Sequence, residues 1–231
     1  MDEVNEIDKI EKIKSNINIK SFVVRVIMYV FSIFISTIGV AFAINGRLGI
    51  SPVNSLPYVV SNILGVYMGM VATTILIFFL LAQIIILRKD FKWIQVTQIL
   101  ASFLFGYFVD ISRGIIGDFV IPTYFGQLAM TFISILLIGT GISLFMSAKL
   151  VNLPPEGLIA AISQKYGFPI YKVMITIHSV TVLTGIVLSL TFLGELIGIR
   201  EGTVLSALLI GKVVQYVKPV VGKGMERFGI E

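Results

Sequence analysis

The chain has 231 residues, of which 56% are hydrophobic and 13% charged, and its mean hydropathy is +0.97. A soluble domain carries about 25% charged residues, so this composition excludes a water-solvated globule and points to one solvated by lipid. The formal net charge of +5 raises the question of nucleic acid, which the placement of the charges answers below. There is no cysteine, which excludes disulfides and thiolate chemistry, and the single histidine, His178, excludes a multi-histidine metal site within one chain.

Residues 1–20 are polar and of mixed sign, with Ile7, Ile10, Ile13 and Ile17 at helical spacing between lysines. The pattern suits a short amphipathic helix on the cytoplasmic membrane surface, with a frayed tail as the alternative. The acidic start does not match a secretory signal peptide. Six apolar spans follow at about 21–44, 67–87, 94–114, 124–147, 169–193 and 201–218. Each is near the ~20 residues needed to cross a hydrocarbon core. Runs such as VATTILIFFLLAQIIIL do not alternate in polarity as membrane-barrel strands do. Residues 219–231 are left as a C-terminal tail.

Fifteen of the 18 lysines and arginines fall in the N-terminal flank, in the loops after spans two and four, and at the C-terminal end. The other three connections hold one each, Arg47, Arg113 and Arg200. Basic connections stay cytoplasmic, so both termini are expected inside a bacterial inner membrane. The basic balance is thus a topology signal, and no nucleic-acid partner is expected.

A repeat crosses this pattern. Asn45–Gly65, NGRLGISPVNSLPYVVSNILG, returns 102 residues later as SAKLVNLPPEGLIAAISQKYG, Ser147–Gly167. Pro52 falls on Pro154, Leu56 on Leu158, Ser61 on Ser163 and Gly65 on Gly167, and the cation Arg47 falls on Lys149. Three spans per copy is an odd number, so the copies (21–114 and 124–218) should enter the membrane from opposite sides. The expected fold is all-α: a six-span bundle of two inverted three-helix repeats, each with a short proline-led helix.

Ser51-Pro52 is a good helix start and Gly65 a good stop; Asn152 or Leu153 before Pro154-Pro155 and Gly167 repeat the arrangement. Glu156 stands in the first turn, where the helix dipole favours an acid. At about 13 residues, roughly 20 Å, each short helix is too short to span. It either lies in the interface or folds into the bundle with its N-terminus near the midplane. In the second arrangement the N-termini, with Arg47, Ser51, Asn54, Lys149 and Glu156, form a candidate site for a small anion or zwitterion. Ordinary interfacial cations are the plainer reading of Arg47 and Lys149.

Ionisable residues inside spans are site candidates. Asp110 could carry a function or pair with Arg113. His178, beside Thr176, Ser179 and Thr181, could couple protons or bond to a neighbouring helix. Lys212 could act in a path or reach back to the inner interface, and Gln83 could line a path or bond to backbone. No phosphate loop, metal-binding pair or nucleophile elbow is present, so no catalytic residue, cofactor or metal is expected and the chain reads as a non-enzyme.

The fragment from Gly39 to Pro57, with G-R-L-G-I-S-P-V-N-S-L-P at its end, and the second-copy L-P-P-E-G-L at Leu153–Leu158 resemble the bacterial YczE/YyaS/YitT group of six-span membrane proteins. The resemblance implies an integral inner-membrane protein of transporter type without a generally established substrate, and it carries over no functional residues. The sequence therefore reads as a small secondary transporter or permease for an anionic or zwitterionic solute. The alternatives are a substrate-binding subunit of a multi-component importer and a non-transport scaffold or assembly factor. The expected partners are the lipid bilayer, an unidentified solute, and either a second copy or other subunits.

Overall fold

A computed structural model describes the backbone of residues 2–227 and the side chains of Ile19 and of residues 21–225. The described residues form eight α-helices, two short 3-10 segments and no strand. The helices are α1 (Asp2–Gly46), α2 (Pro52–Leu64), α3 (Met68–Leu87), α4 (Gln98–Ile116), α5 (Tyr124–Ser147), α6 (Pro154–Tyr166), α7 (Ile170–Leu193) and α8 (Glu201–Arg227). Six stretches are long and apolar enough to cross a membrane: Ser21–Gly46, Met68–Asp90, Trp93–Ile116, Tyr124–Ser147, Ile170–Leu193 and Glu201–Met225.

Two boundaries differ from the sequence reading. Residues 2–20 continue into the first span as one helix, because no glycine or proline interrupts the chain before Gly39. The amphipathic face expected there falls on side chains outside the described residues. At the other end α8 runs through Pro219 to Arg227, past the expected stop at 218. The remainder of the tail, 228–231, is outside the described residues.

The bundle is built around α1 and α5, which pack antiparallel. The rings of Tyr29 and Phe145 are 5.2 Å apart. Further along, a Cβ on Gly141 would meet the Ser32 carbonyl at 2.7 Å, one on Gly39 would meet Ile138 Cγ1 at 2.8 Å, and one on Gly46 would meet the Gln127 carbonyl at 3.3 Å. Residue numbers thus rise on α1 as they fall on α5. Lipid tails are as apolar as the helix faces, so association rests on close van der Waals approach, which these small residues permit.

The other helices pack in related pairs. α4 lies on α1, where Thr37 and Ser112 share a 3.0 Å hydrogen bond, and α8 lies on α5 with Val213 over Gly139. α2 packs on α7 and α6 on α3, so each short helix rests on a long helix from the other half. α3 and α4 cross closely at Gly69 and Gly106, where Thr73 Oγ1 donates to the Gly69 carbonyl at 2.9 Å. α7 and α8 have no comparable contact. Large apolar side chains such as Phe78, Leu100, Phe103, Leu183, Val187 and Leu208 point outward, which suits a surface wetted by lipid.

Candidate functional site

Both short helices are introduced by the same local structure. Arg47 and Lys149, 102 positions apart, take left-handed conformations with φ of 55° and 52°. Each donates its N–H to the carbonyl three residues back, Ile44 and Met146. A left-handed non-glycine residue costs about 1 kcal/mol or more, and here it ends a long helix so that an extended linker can lead into a proline-started one. Ser51 and Leu153 are the N-cap residues, and Gly65 and Gly167 close the helices with φ of 63° and 72°. The first turns, with Pro52, Asn54, Ser55, Pro154, Pro155 and Gly157, are buried, whereas residues 64–67 and 164–170 are exposed. Each short helix therefore enters the bundle N-terminus first.

The two N-termini do not pack against each other. Arg47 follows the end of α1 that meets the start of α5, and Lys149 follows the far end of α5. The 24 residues of α5 place them about 36 Å apart along its axis. Both cations are exposed. The Arg47 carbonyl accepts from Arg200 Nη1 at 3.3 Å. Ser51 and Asn54 satisfy each other, Asn54 Nδ2 donating to Ser51 Oγ at 2.9 Å. Of the other candidates, Asp110 accepts the Gly69 N–H at 2.8 Å and so caps the start of α3 instead of pairing with Arg113. The physical reason is the close crossing of α3 and α4, which brings that helix end over the carboxylate. Half-buried His178 makes no hydrogen bond among the described residues, and Lys212 is exposed on α8.

Glu156 is different. Its Oε2 is shielded from solvent and has no hydrogen-bond partner among the described residues. It faces a cavity of about 20 Å³ whose wall is Ser32, Ile33 and Ser36 of α1, Phe105 of α4, Ile142 and Phe145 of α5, and Leu153. Desolvation pushes its carboxyl up to about 7.

A larger space adjoins the same turn of α6. It is an open crevice of about 190 Å³ between the end of α3, the start of α4 and α6, where Lys92, Gln95, Gln98, Asn152 and Gln164 supply polar groups. Behind it, Gln83 and Gln98 form a closed amide pair. Gln83 Nε2 donates to Gln98 Oε1 at 3.1 Å, and Gln98 Nε2 donates back at 3.3 Å. Gln83 Nε2 also donates to the Pro154 carbonyl at 3.2 Å, which ties α6 to α3. At the rim Lys165 Nζ meets Asp90 Oδ2 at 3.0 Å. Among the described residues the only charged side chain lining the crevice is Lys92, so its chemistry suits a small polar solute bearing a carboxylate or similar anionic group.

The corresponding place at the other end is filled. Positions 102 residues earlier than Asn152 and Ala160 hold Ile50 and Tyr58. Ile50 is fully buried and its N–H donates to the Gly198 carbonyl at 2.9 Å, while the Gly202 N–H donates to the Leu48 carbonyl at 2.7 Å. Tyr58 lies directly against Gly198. Sequence reasoning missed Lys92, Gln95, Gln98, Asn152 and Gln164. The available signal was the pair of amides at 95 and 98, three residues apart at the head of an apolar run.

Fold and site together define a polytopic helical membrane protein with a one-sided polar crevice. Residues 23–219 match a family of unknown function, DUF6198, and the chain belongs to that family. It is 27% identical over 206 residues to the uncharacterized membrane protein YczE of Bacillus subtilis (strain 168), covering 87% of this chain and 88% of that one. The YczE-like membrane family that the sequence resembles is therefore its family. No solved structure matches.

Proposed function

We propose that the chain is a secondary transporter or permease of a bacterial inner membrane, carrying a small anionic or zwitterionic solute. In this reading residues 21–114 and 124–218 are inverted repeats related by a two-fold axis in the membrane plane. Reciprocal contacts support that relation. Gly39 meets Ile138 while Gly141 meets Ser36, the same pair of positions with the copies exchanged. Gln83 lies against Gly157, and Gly185 lies against the backbone of Leu56, next to the matching Ser55. With the basic connections inside, the crevice opens to the cytoplasm and its counterpart is closed toward the outside.

The observation that carries the proposal is this contrast between an open, amide-lined crevice and a closely packed equivalent, the asymmetry expected of one state in alternating access. Lys92 and the Gln95, Gln98, Asn152 and Gln164 amides would hold the solute, with α6 as the moving wall. The filling of the outer counterpart by the bulk of Ile50 and Tyr58 favours a second reading, a binding subunit of a multi-component importer that takes solute on one face only.

A thermal-shift screen of purified protein against small carboxylates and zwitterions, followed by uptake into liposomes holding this chain alone, tests both. A stabilising solute whose effect is lost in Lys92→Ala and Gln95→Ala, and which is taken up, supports the permease. Binding without uptake supports the subunit. Absence of any binder and of any uptake would leave neither standing.

A further inference from the structure

Glu156 has one carboxyl oxygen, Oε2, that the fold shields from solvent and leaves without a hydrogen-bond partner among the described residues. Glu156 lines a space of about 20 Å³, room for a single water-sized species. Among the described residues five of the eight that form the wall are apolar, and apart from Glu156 only the hydroxyls of Ser32 and Ser36 are polar. Tyr29 of α1, whose hydroxyl is also buried without a partner among the described residues, is a titratable neighbour on which the Glu156 charge acts. One turn earlier on α1, Arg25 also buries its Nε without a hydrogen-bond partner among the described residues. α4 and α5 present only Phe105, Ile142 and Phe145, while α3 and α7, also packed on α6, contribute nothing to this wall.

Calcium or magnesium needs about six oxygen ligands, and one carboxyl with two hydroxyls does not supply them. A charged carboxylate in such a place, without a partner, is strongly disfavoured. A proton satisfies the site with no further ligand, by turning the carboxylate into a neutral group that can hydrogen-bond to a serine hydroxyl.

We propose that Glu156 is a proton-binding site that latches α6: with Oε2 protonated the first turn of α6 seats over the cavity, and loss of the proton to solvent unseats it. The proton passes between water and Oε2, and no other bond changes. Because the same turn forms the wall of the crevice, seating and unseating alter the opposite face of α6, where Gly157 and Ala161 line that space. Glu156 is thereby the coupling site of the transporter proposed above. That use rests on the transport reading, whereas the latch itself can be tested without a solute.

The absence of native cysteine makes the test direct. Ala161 is 2% exposed, so Ala161→Cys reports unseating through its rate of maleimide labelling, normalised at each pH to the denatured protein. Protein in lipid nanodiscs should label at least about tenfold faster at pH ~9 than at pH ~5, with the midpoint near neutrality. Adding Glu156→Gln should abolish that difference and hold the slow rate throughout. A flat profile in the Ala161→Cys protein, or an unchanged profile with Glu156→Gln, overturns the proposal.

Should Glu156→Gln fail to fold, infrared difference spectra of the wild-type protein across the same range decide the matter. A protonated-carboxyl band that disappears toward high pH, and shifts in Glu156→Asp, supports the latch; absence of the band overturns it. Solute binding by thermal shift at fixed pH is read separately, so that a failed crevice with an intact pH response indicts the transport reading alone.

Discussion

Gln83 lies so close to Gly157 that a Cβ placed on the glycine would meet the amide Nε2 at 2.5 Å. The contact joins the C-terminal half of α3 to the first turn of α6, and the same amide holds the Pro154 carbonyl. Gly157→Ala should therefore lower thermal stability by about 1–3 kcal/mol, the usual cost of overpacking. Shortening the amide in Gly157→Ala/Gln83→Ser should recover part of that loss. A double-mutant cycle on melting temperature in detergent gives the coupling; additive losses would show that the two residues act apart.

The amide pair itself makes a second prediction. Gln98→Leu leaves Gln83 with a buried carbonyl oxygen and no donor, at a cost of about 1–3 kcal/mol. Replacing both residues, in Gln83→Leu/Gln98→Leu, should cost less than Gln98→Leu alone if the space accepts the leucines. Denaturation of the three proteins compares them. A double variant worse than Gln98→Leu would mean that the bond to the Pro154 carbonyl matters more than the pair.

Asp110 is expected to behave as a structural cap. Asp110→Ala should destabilise by about 1 kcal/mol, Asp110→Asn should cost less because its amide oxygen can still accept the Gly69 N–H, and neither should alter the pH response of the protein. Melting curves at two pH values check this. A pH response abolished by Asp110→Asn would restore the carboxylate as a functional group.

The pH dependence of stability follows from Glu156, whose folded value of about 7 lies above the ordinary 4.5. Below the ordinary value both folded and unfolded states are protonated, and burial of the acid carries no ionisation penalty. As pH rises from there toward 7 the unfolded state gives up its proton first, so the folded state loses relative stability; above 7 the penalty is constant, on the order of 3 kcal/mol. Glu156→Gln should remove this slope, and its melting temperature should exceed that of the wild-type protein most clearly above neutrality. Parallel curves for the two proteins would contradict the assignment.

Features encoded locally were legible before any coordinates. The six spans fall close to where the residues indicated, and the proline starts at Pro52 and Pro154 and the glycine stops at Gly65 and Gly167 fall on the expected positions. Even the matched cations, Arg47 and Lys149, share one backbone conformation. The site was far less legible. Glu156 was named for its place in a first helical turn, which says nothing of the Ser32 and Ser36 wall opposite. Gln98 and Gln83 meet only because α3 and α4 cross at a particular angle, and Asp110 reaches Gly69 for the same reason.

By itself the sequence determined a lipid-solvated helical bundle, its family and its spans, because each is written in the composition or in windows of about 20 residues, the length of one membrane crossing. Only the tertiary structure decided that Arg47 and Lys149 lie far apart, that Ile50 and Tyr58 pack against Gly198 at one end while the other holds a crevice, and that one oxygen of a lone carboxyl is shielded on the same turn. Those outcomes depend on how helices distant along the chain approach one another. That approach is set by small residues and by bulk on facing helices, which no single stretch of sequence contains.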